Sequence, residues 1–362
     1  MTTIAPGPTI AQVEVAGGVD THQDTHTAAA VDPAGRLLGH RQFPATAAGY
    51  RELLAWLRGW GQLLVVGIEG TGAYGAGLAR HLAAQSVAMV EVDRPDRKTR
   101  RFAGKSDPLD AEAAARTALT GRRTGTPKDR SGQVEALRNL RVARRSAIDH
   151  RADCQRRIKT LIITAPESLR ASVRALPNAK LIATCAGLRP DGSRIGEPEQ
   201  AAKLALRALA RRHTALTTEI DELDTVIGPL VTAINPALIA CTGVGADVAG
   251  QLLVTAGQNS DRLHSEPAFA MLCGVAPIPA SSGKTHRHRL NRGGDRQANA
   301  ALYRIVLCRM RWDPRTRAYV ERRTKEGLSK KDIIRCLKRM IARELYYVLR
   351  PAPSAQKMAV AA

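Results

Sequence analysis

Aromatic residues make up only 3 % of this 362-residue chain. Stacking many unpaired bases on rings needs more of them, so any contact with nucleic acid has to run mainly through the phosphate backbone. Six cysteines are scattered at Cys154, Cys185, Cys241, Cys273, Cys308 and Cys336 without a C-x-x-C pair, which argues against both a disulfide framework and a zinc site. No basic, apolar, small-residue leader opens the sequence, and the expectation is a reducing cytoplasm. No apolar run approaches the roughly 18 to 20 residues of a membrane span. What the chain has in excess is positive charge: 55 Lys and Arg against 33 Asp and Glu, a net +22. A polyanionic partner follows, and nucleic acid is the commonest one.

The excess is not uniform. Residues 1–120 carry 12 basic and 12 acidic side chains, residues 121–180 carry 15 and 5, residues 181–283 carry 7 and 10, and residues 284–350 carry 20 and 6. Two basic blocks therefore flank a slightly acidic spacer, a confinement that compositional bias of a genome does not produce. Arg144, Arg145, Arg156 and Arg157 in the first block, and Lys284, Arg287, Arg289 and Arg292 in the second, are the candidate nucleic-acid contacts.

With 44 % hydrophobic residues the chain is long enough for two or three cores. Val13–Val19, Thr27–Val31 and Leu37–Phe43 read as a meander of three strands, Thr46–Arg58 as a helix capped by Thr46, and Leu63–Ile68 as a central buried strand. A helix over Gly77–Gln85, a strand over Ala88–Val92 and a helix from Pro108 complete the order β-β-β-α-β-α-β-α. That order predicts an α/β, ribonuclease H-like mixed sheet with helical cover. Beyond about residue 130 the strand signals stop, and residues 131–164 and 199–227 read as long helices. Leu206, Leu209, His213, Leu216, Ile220, Leu223 and Ile227 recur at spacings of three and four, which fits either a helical hairpin or a coiled-coil dimerisation arm. Pro229 and Pro236 are expected to end this stretch and open a mainly α C-terminal domain. The division expected is 1–128 for the sheet domain, 129–232 for the arm, 233–350 for the C-terminal domain and 351–362 for a disordered tail.

Three acidic sites stand out. Gly18-Val19-Asp20 ends the first strand, and Val65-Val66-Gly67-Ile68-Glu69 delivers a glutamate at the end of the central one. Ser106-Asp107-Pro108-Leu109-Asp110 opens a helix, with Asp107 as the expected N-cap and Pro108 at the first helical position. A ribonuclease H-like sheet would gather Asp20, Glu69, Asp107 and Asp110 at one edge, where mutual repulsion calls for divalent cations. Oxygen-only ligands point to Mg²⁺ or Mn²⁺ acting at a phosphodiester. His22 and His26 read as solvent-facing or hydrogen-bonding side chains rather than metal ligands, His286 and His288 as members of a phosphate-facing strand, and Gly243-x-Gly245 lacks the strand and ribose-binding acid of a dinucleotide site. In Ala280-Ser281-Ser282-Gly283, two hydroxyls follow Pro277 and Pro279 and precede clustered cations. Chemistry alone leaves open which serine, if either, is a nucleophile.

These blocks resemble a known family. Gly18-Val19-Asp20-Thr21-His22, Gly67-Ile68-Glu69-Gly70-Thr71-Gly72 and Lys105-Ser106-Asp107-Pro108-Leu109-Asp110-Ala111 are similar to the three blocks of the DEDD transposases of the insertion sequence 110 family, whose N-terminal domain is similar to the Holliday-junction resolvase RuvC. Cys241-Thr242-Gly243-Val244-Gly245 is similar to the family's helix-hairpin-helix-like opening, although that opening usually begins Pro-Gly. Gly274-Val275-Ala276-Pro277 through Ser281-Ser282-Gly283-Lys284 is similar to its serine motif. The resemblance implies that Asp20, Glu69, Asp107 and Asp110 hold metal and that Ser282, the serine before the glycine, attacks DNA. It further implies double-stranded donor and target DNA, an element-encoded noncoding guide RNA, a homo-oligomer, expected to be a tetramer, and a cytoplasmic, nucleoid-associated setting. A junction resolvase using water, a non-enzymatic DNA binder and an actin-like sugar kinase are the rival readings.

Overall fold

The apolar alternation of the first ninety residues becomes a six-stranded mixed sheet in the computed structural model, which describes residues 13–92, 106–122, 124–284 and 287–350. The expected disordered tail at 351–362, Lys105 and His286 lie outside the described residues. Strands β1 (Glu14–Thr21), β2 (Thr25–Val31) and β3 (Leu37–Pro44) form the antiparallel meander. Strand β4 (Gln62–Glu69) runs parallel to β1, and β5 (Met89–Val92) parallel to β4. A two-residue strand that the sequence pattern did not predict, β6 (Thr124–Gly125), closes the order β3-β2-β1-β4-β5-β6.

Neighbouring residues of a strand face opposite sides of a sheet, and the glycine pair of β1 shows what lies on each. Gly17 faces α1 (Ala47–Arg58), where a Cβ would sit 2.8 Å from a methyl of Leu57. Leu53, Leu54 and Leu57 of α1 and Leu78 and Leu82 of α2 (Ala76–Ala84) pack there against Val15, Val19, Val66 and Ile68. Thr46 caps α1 as expected, accepting from the Gly49 N–H at 3.2 Å. On the other face lies α3 (Asp107–Thr120), which turns buried Ala111, Ala114, Ala115 and Ala118 toward the sheet. A Cβ on Gly18 would stand 2.1 Å from the Ala111 oxygen and the Ala115 nitrogen, and one on Gly67 2.5 Å from the Ala114 oxygen. The helix thus lies on bare strand backbone.

Since the obstructing atoms are backbone, they cannot rotate away. Gly18→Ala is expected to cost about 3 kcal/mol or more and to lower the melting temperature, as overpacking does. Gly196→Ala, with nothing within 4 Å of the new methyl, should leave melting unchanged.

The chain divides into two compact units, one of residues up to Arg130 together with Ala256–His264, the other of Ser131–Thr255 and the residues from Ser265 onward. In the first, the 256–264 segment grips the strand-to-helix linker. Asn259 donates to the Pro127 carbonyl at 2.9 Å and accepts from the Asp129 N–H at 2.8 Å, while Arg262 donates to the Thr126 carbonyl at 3.1 Å.

In the second unit, α4 (Gly132–Thr164) and α7 (Pro198–Ile234) pack lengthwise as a hairpin within the chain. At 1.5 Å per residue α7 is about 55 Å long. Leu206, Ile220 and Ile227 of the predicted stripe are buried, and α5 (Glu167–Val173) and α6 (Asn178–Ala186) complete the core around Ile158, Ile162 and Leu206. Pro229 does not end the helix as expected; α7 runs through it to Ile234. One missing N–H is tolerated because Ile227 and Val231 are buried on either side of it. The remainder is mainly helical: α8 (Pro236–Ile239), α9 (Ala246–Ala256), α10 (Glu266–Leu272), α11 (Arg296–Trp312), α12 (Pro314–Lys325) and α13 (Lys330–Leu349). Between α10 and α11 stands a small hairpin, β7 (Ile278–Pro279) with β8 (His288–Arg289). All six cysteines are free thiols, and among the described residues no helix is long and apolar enough to cross a membrane.

Candidate active site

The pairing of β1 with β4 runs parallel to Val19 opposite Ile68, so the next residues, Asp20 and Glu69, leave adjacent strands at the same end of the sheet. Both are buried, as is Asp110 in the first turn of α3. Thr21 ties the two strand ends by donating its hydroxyl to the Glu69 carbonyl at 2.8 Å.

Asp107 is not the N-cap the sequence predicts. Ser106 has the extended cap conformation and its carbonyl accepts the Asp110 N–H at 3.0 Å, so Asp107 is the first helical residue. Its carboxylate instead lies 3.4 Å from His22 Nε2, and the same nitrogen is 3.1 Å from Asp20 Oδ2. His22 has the hydrogen-bonding role expected of it, and it also completes a set: ligand atoms of Asp20, His22 and Asp107 all lie within 4.8 Å of one another. The signal was its i, i+2 spacing from Asp20, which puts both on one face of an extended strand.

Burial raises the Asp20 carboxyl above the usual range; His22 pulls it down, and the charges of Asp110 and Asp107 push it further up. The carboxylates therefore feel one another, and a divalent cation would relieve what His22 offsets only in part. The donor set of carboxylates with one imidazole fits such an ion. His26, by contrast, is wholly buried on the other face, stacked 5.6 Å from Tyr50, and belongs to the core.

The serine motif forms the tip of the β7–β8 hairpin. Ala280 donates to the Arg287 carbonyl at 2.9 Å, and Gly283 takes a positive φ of 53° that makes the turn. Ser281 braces the hairpin: its hydroxyl accepts from the Arg287 N–H at 3.2 Å and lies 3.4 Å from the Arg287 carbonyl. Ser282 is exposed and its hydroxyl has no partner among the described residues. Lys284, Arg287, Arg289 and Arg292 are exposed beside it in sequence. Cys241–Gly245 is a turn between α8 and α9 with Gly243 at φ 80°, its Thr242 carbonyl held at 2.7 Å by Arg309, which also grips Glu344 through two 2.7 Å bonds.

The family models cover these same segments. A DEDD transposase model of IS110 elements, described as Transposase, matches residues 17–164, and a second, described as Transposase IS116/IS110/IS902 family, matches residues 235–321. The chain belongs to the IS110 transposase family. Two relatives agree. It is 26 % identical over 250 residues to the insertion element IS900 uncharacterized 42 kDa protein of Mycobacterium paratuberculosis, covering 64 % of this chain and 63 % of that one. It is 30 % identical over 150 residues to the insertion element IS110 uncharacterized 43.6 kDa protein of Streptomyces coelicolor, covering 41 % of this chain and 37 % of that one. The chain thus spans less than two thirds of the length of either relative.

The four predicted arginines of α4 differ among themselves. Arg145 pairs with Asp149, and Arg156 and Arg157 pair with Asp153, all on the solvent side. Arg144 is mostly covered, donating to both oxygens of Asp224 at 2.5 and 2.9 Å and to Asp247 at 3.3 Å. Asp247 also holds Arg141 at 3.0 Å and Arg304. The Asp247 carboxyl is driven up by its burial, but those arginines outweigh this and hold it below its usual range. Arg144→Ala should therefore lower the melting temperature measurably, with about 1 to 3 kcal/mol lost, while Arg156→Ala leaves it unchanged.

Proposed function

We propose that this protein is a recombinase that cuts and rejoins DNA, with a divalent-metal site on a ribonuclease H-like, RuvC-like sheet and Ser282 as the nucleophile. The observation that carries the reading is the gathering of Asp20, His22 and Asp107 at the sheet end where Glu69 and buried Asp110 also sit. Asp20, Glu69, Asp107 and Asp110 would hold Mg²⁺ or Mn²⁺, which when bound supplies charge stabilisation to phosphoryl oxygens.

The chain's own residues do the rest. His22 holds Asp20 and Asp107 in place through its shared Nε2. The Ser282 oxygen forms an ester to a backbone phosphorus as the bond from phosphorus to the leaving sugar oxygen breaks, and the hydroxyl proton passes to solvent or to that oxygen. Lys284, Arg287, Arg289 and Arg292 offset charge on the phosphoryl oxygens. The ester keeps the phosphodiester energy for rejoining, which suits recombination and not hydrolysis.

In this reading the N-terminal residues to 128 are the metal domain, 129–232 the arm and 233–350 the serine domain. Arg144, Arg145, Arg156 and Arg157 would face donor and target DNA or an element-encoded noncoding guide RNA, with Arg144 the weakest candidate because Asp224 and Asp247 already hold it. A tetramer is the proposed assembly, in cytoplasm beside the nucleoid. The test is a cleavage assay on DNA carrying the ends of the parent element, with the full chain, its copurifying RNA and Mg²⁺ or Mn²⁺. Divalent-dependent cutting and a single enriched RNA from the element support the reading; cutting that is indifferent to chelation removes the metal site.

A further inference from the structure

The α4 helix carries seven arginines, and six of them have a carboxylate partner: Arg138 with Glu135, Arg141 and Arg144 with Asp247, Arg145 with Asp149, and Arg156 and Arg157 with Asp153. The seventh, Arg151, has none among the described residues. Its one hydrogen bond is a long one, Nη1 to the Thr217 hydroxyl at 3.4 Å. A guanidinium has five donors, so most of its capacity is unspent.

Arg151 lines a cleft of about 450 Å³ between α4, α6 and α7, together with Gln155, Asn178, His213, Thr214 and Thr217. Its floor includes buried Ile182. The side chains of Gln155, Asn178 and His213 likewise have no hydrogen-bond partner among the described residues. His213 is the one polar residue of the apolar stripe on α7. Burial, and then the Arg151 charge, hold its imidazole pKa below the usual value, which keeps it a neutral donor and acceptor. A polar break in a packing stripe, facing an unpaired cation across an open cleft, is poorly explained by packing. It is well explained by a ligand.

We infer that this cleft is a phosphate-binding subsite on the arm, in which Arg151 takes one backbone phosphodiester and Gln155, Asn178 and His213 contact its sugar or an adjoining base edge. Arg, Thr, Asn and Gln are the side chains that make such contacts, and the cleft volume lies in the range that holds a small ligand. Four of its nine lining residues, Arg151 among them, lie in the 121–180 block with its 15 basic and 5 acidic residues, and the neutral amide and hydroxyl groups around that one cation suit a phosphodiester with its sugar and base better than the closely spaced carboxylates of an acidic peptide. The inference deepens the nucleic-acid reading above, but its test involves no cleavage, so each can fail alone.

Binding of the full chain to a duplex DNA and to a hairpin RNA of equal length is measured by anisotropy across salt, with EDTA present. Arg151→Ala is expected to weaken binding about tenfold and to flatten the slope of log affinity against log salt by about 0.7 to 0.9, one phosphate contact. Arg151→Lys should keep the slope. His213→Leu restores the apolar stripe, preserves folding and should weaken the same probe about threefold, the worth of one neutral hydrogen bond. A change on one probe only identifies that nucleic acid as the source of the phosphate. Unchanged affinity and slope for both probes in Arg151→Ala and His213→Leu would overturn the subsite.

Discussion

Asp20→Asn is expected to abolish DNA cleavage while nucleic-acid affinity stays within a few fold. The side chain keeps its size and its place at the end of β1, but it loses the charge that faces His22 and the carboxylates of α3. Several kcal/mol of charge stabilisation at a phosphodiester corresponds to about three decades in rate or more. Glu69→Ala and Asp110→Ala should lose activity to a similar extent. His22→Gln, which retains a hydrogen-bonding arm without the imidazole, should lower activity less. The measurement is single-turnover cleavage with Mn²⁺ alongside filter binding in EDTA. Full cleavage by Asp20→Asn would show that the cluster is a structural ion-pair group and not the reaction centre.

The second large effect concerns the hairpin serines. Ser282→Ala should remove both a covalent protein–DNA adduct on nicked substrates and recombination itself, since loss of a serine nucleophile elsewhere costs about a million-fold. Ser281→Ala should keep a substantial part of each. The two differ in what already occupies them: the Ser281 hydroxyl is engaged with both backbone groups of Arg287, whereas the Ser282 hydroxyl is unengaged among the described residues. Removing Ser281 loosens the turn; removing Ser282 takes away the attacking oxygen. Mass spectrometry of the trapped adduct decides. An adduct on Ser281 would reverse the choice of residue, and normal cutting by the double variant with free ends would make water the nucleophile.

Much of the first unit could be read from the chain because alternation and continuous apolar runs are local signals. The meander, the central strand and the helix capped by Thr46 each follow from residues close together in sequence. The acids were legible as residues at strand and helix ends. Their mutual placement was less so, because it depends on Gly18 and Gly67 lying under α3, where Gly18 meets Ala111 and Ala115 and Gly67 meets Ala114, partners far away in sequence. Ser106 and Asp107 are both good capping residues, and only the backbone conformation chooses between them. Arg144 reads as one more basic side chain until Asp224, eighty residues later, is folded beside it. Pro229 looks like a stop because local chemistry says so, and burial on both sides overrules it.

The grip of Asn259 and Arg262 on the 126–129 linker also bears on synthesis. The first unit is discontinuous, and its last nine residues emerge from the ribosome more than a hundred positions after Arg130. At about 5 to 20 residues per second, the nascent first unit waits on the order of ten seconds for that final piece. A chain cut short before Ala256 would carry all four acids and lack the segment that fastens the linker behind them. Translation itself thus makes the completed domain a late event, reached only when most of the polypeptide exists.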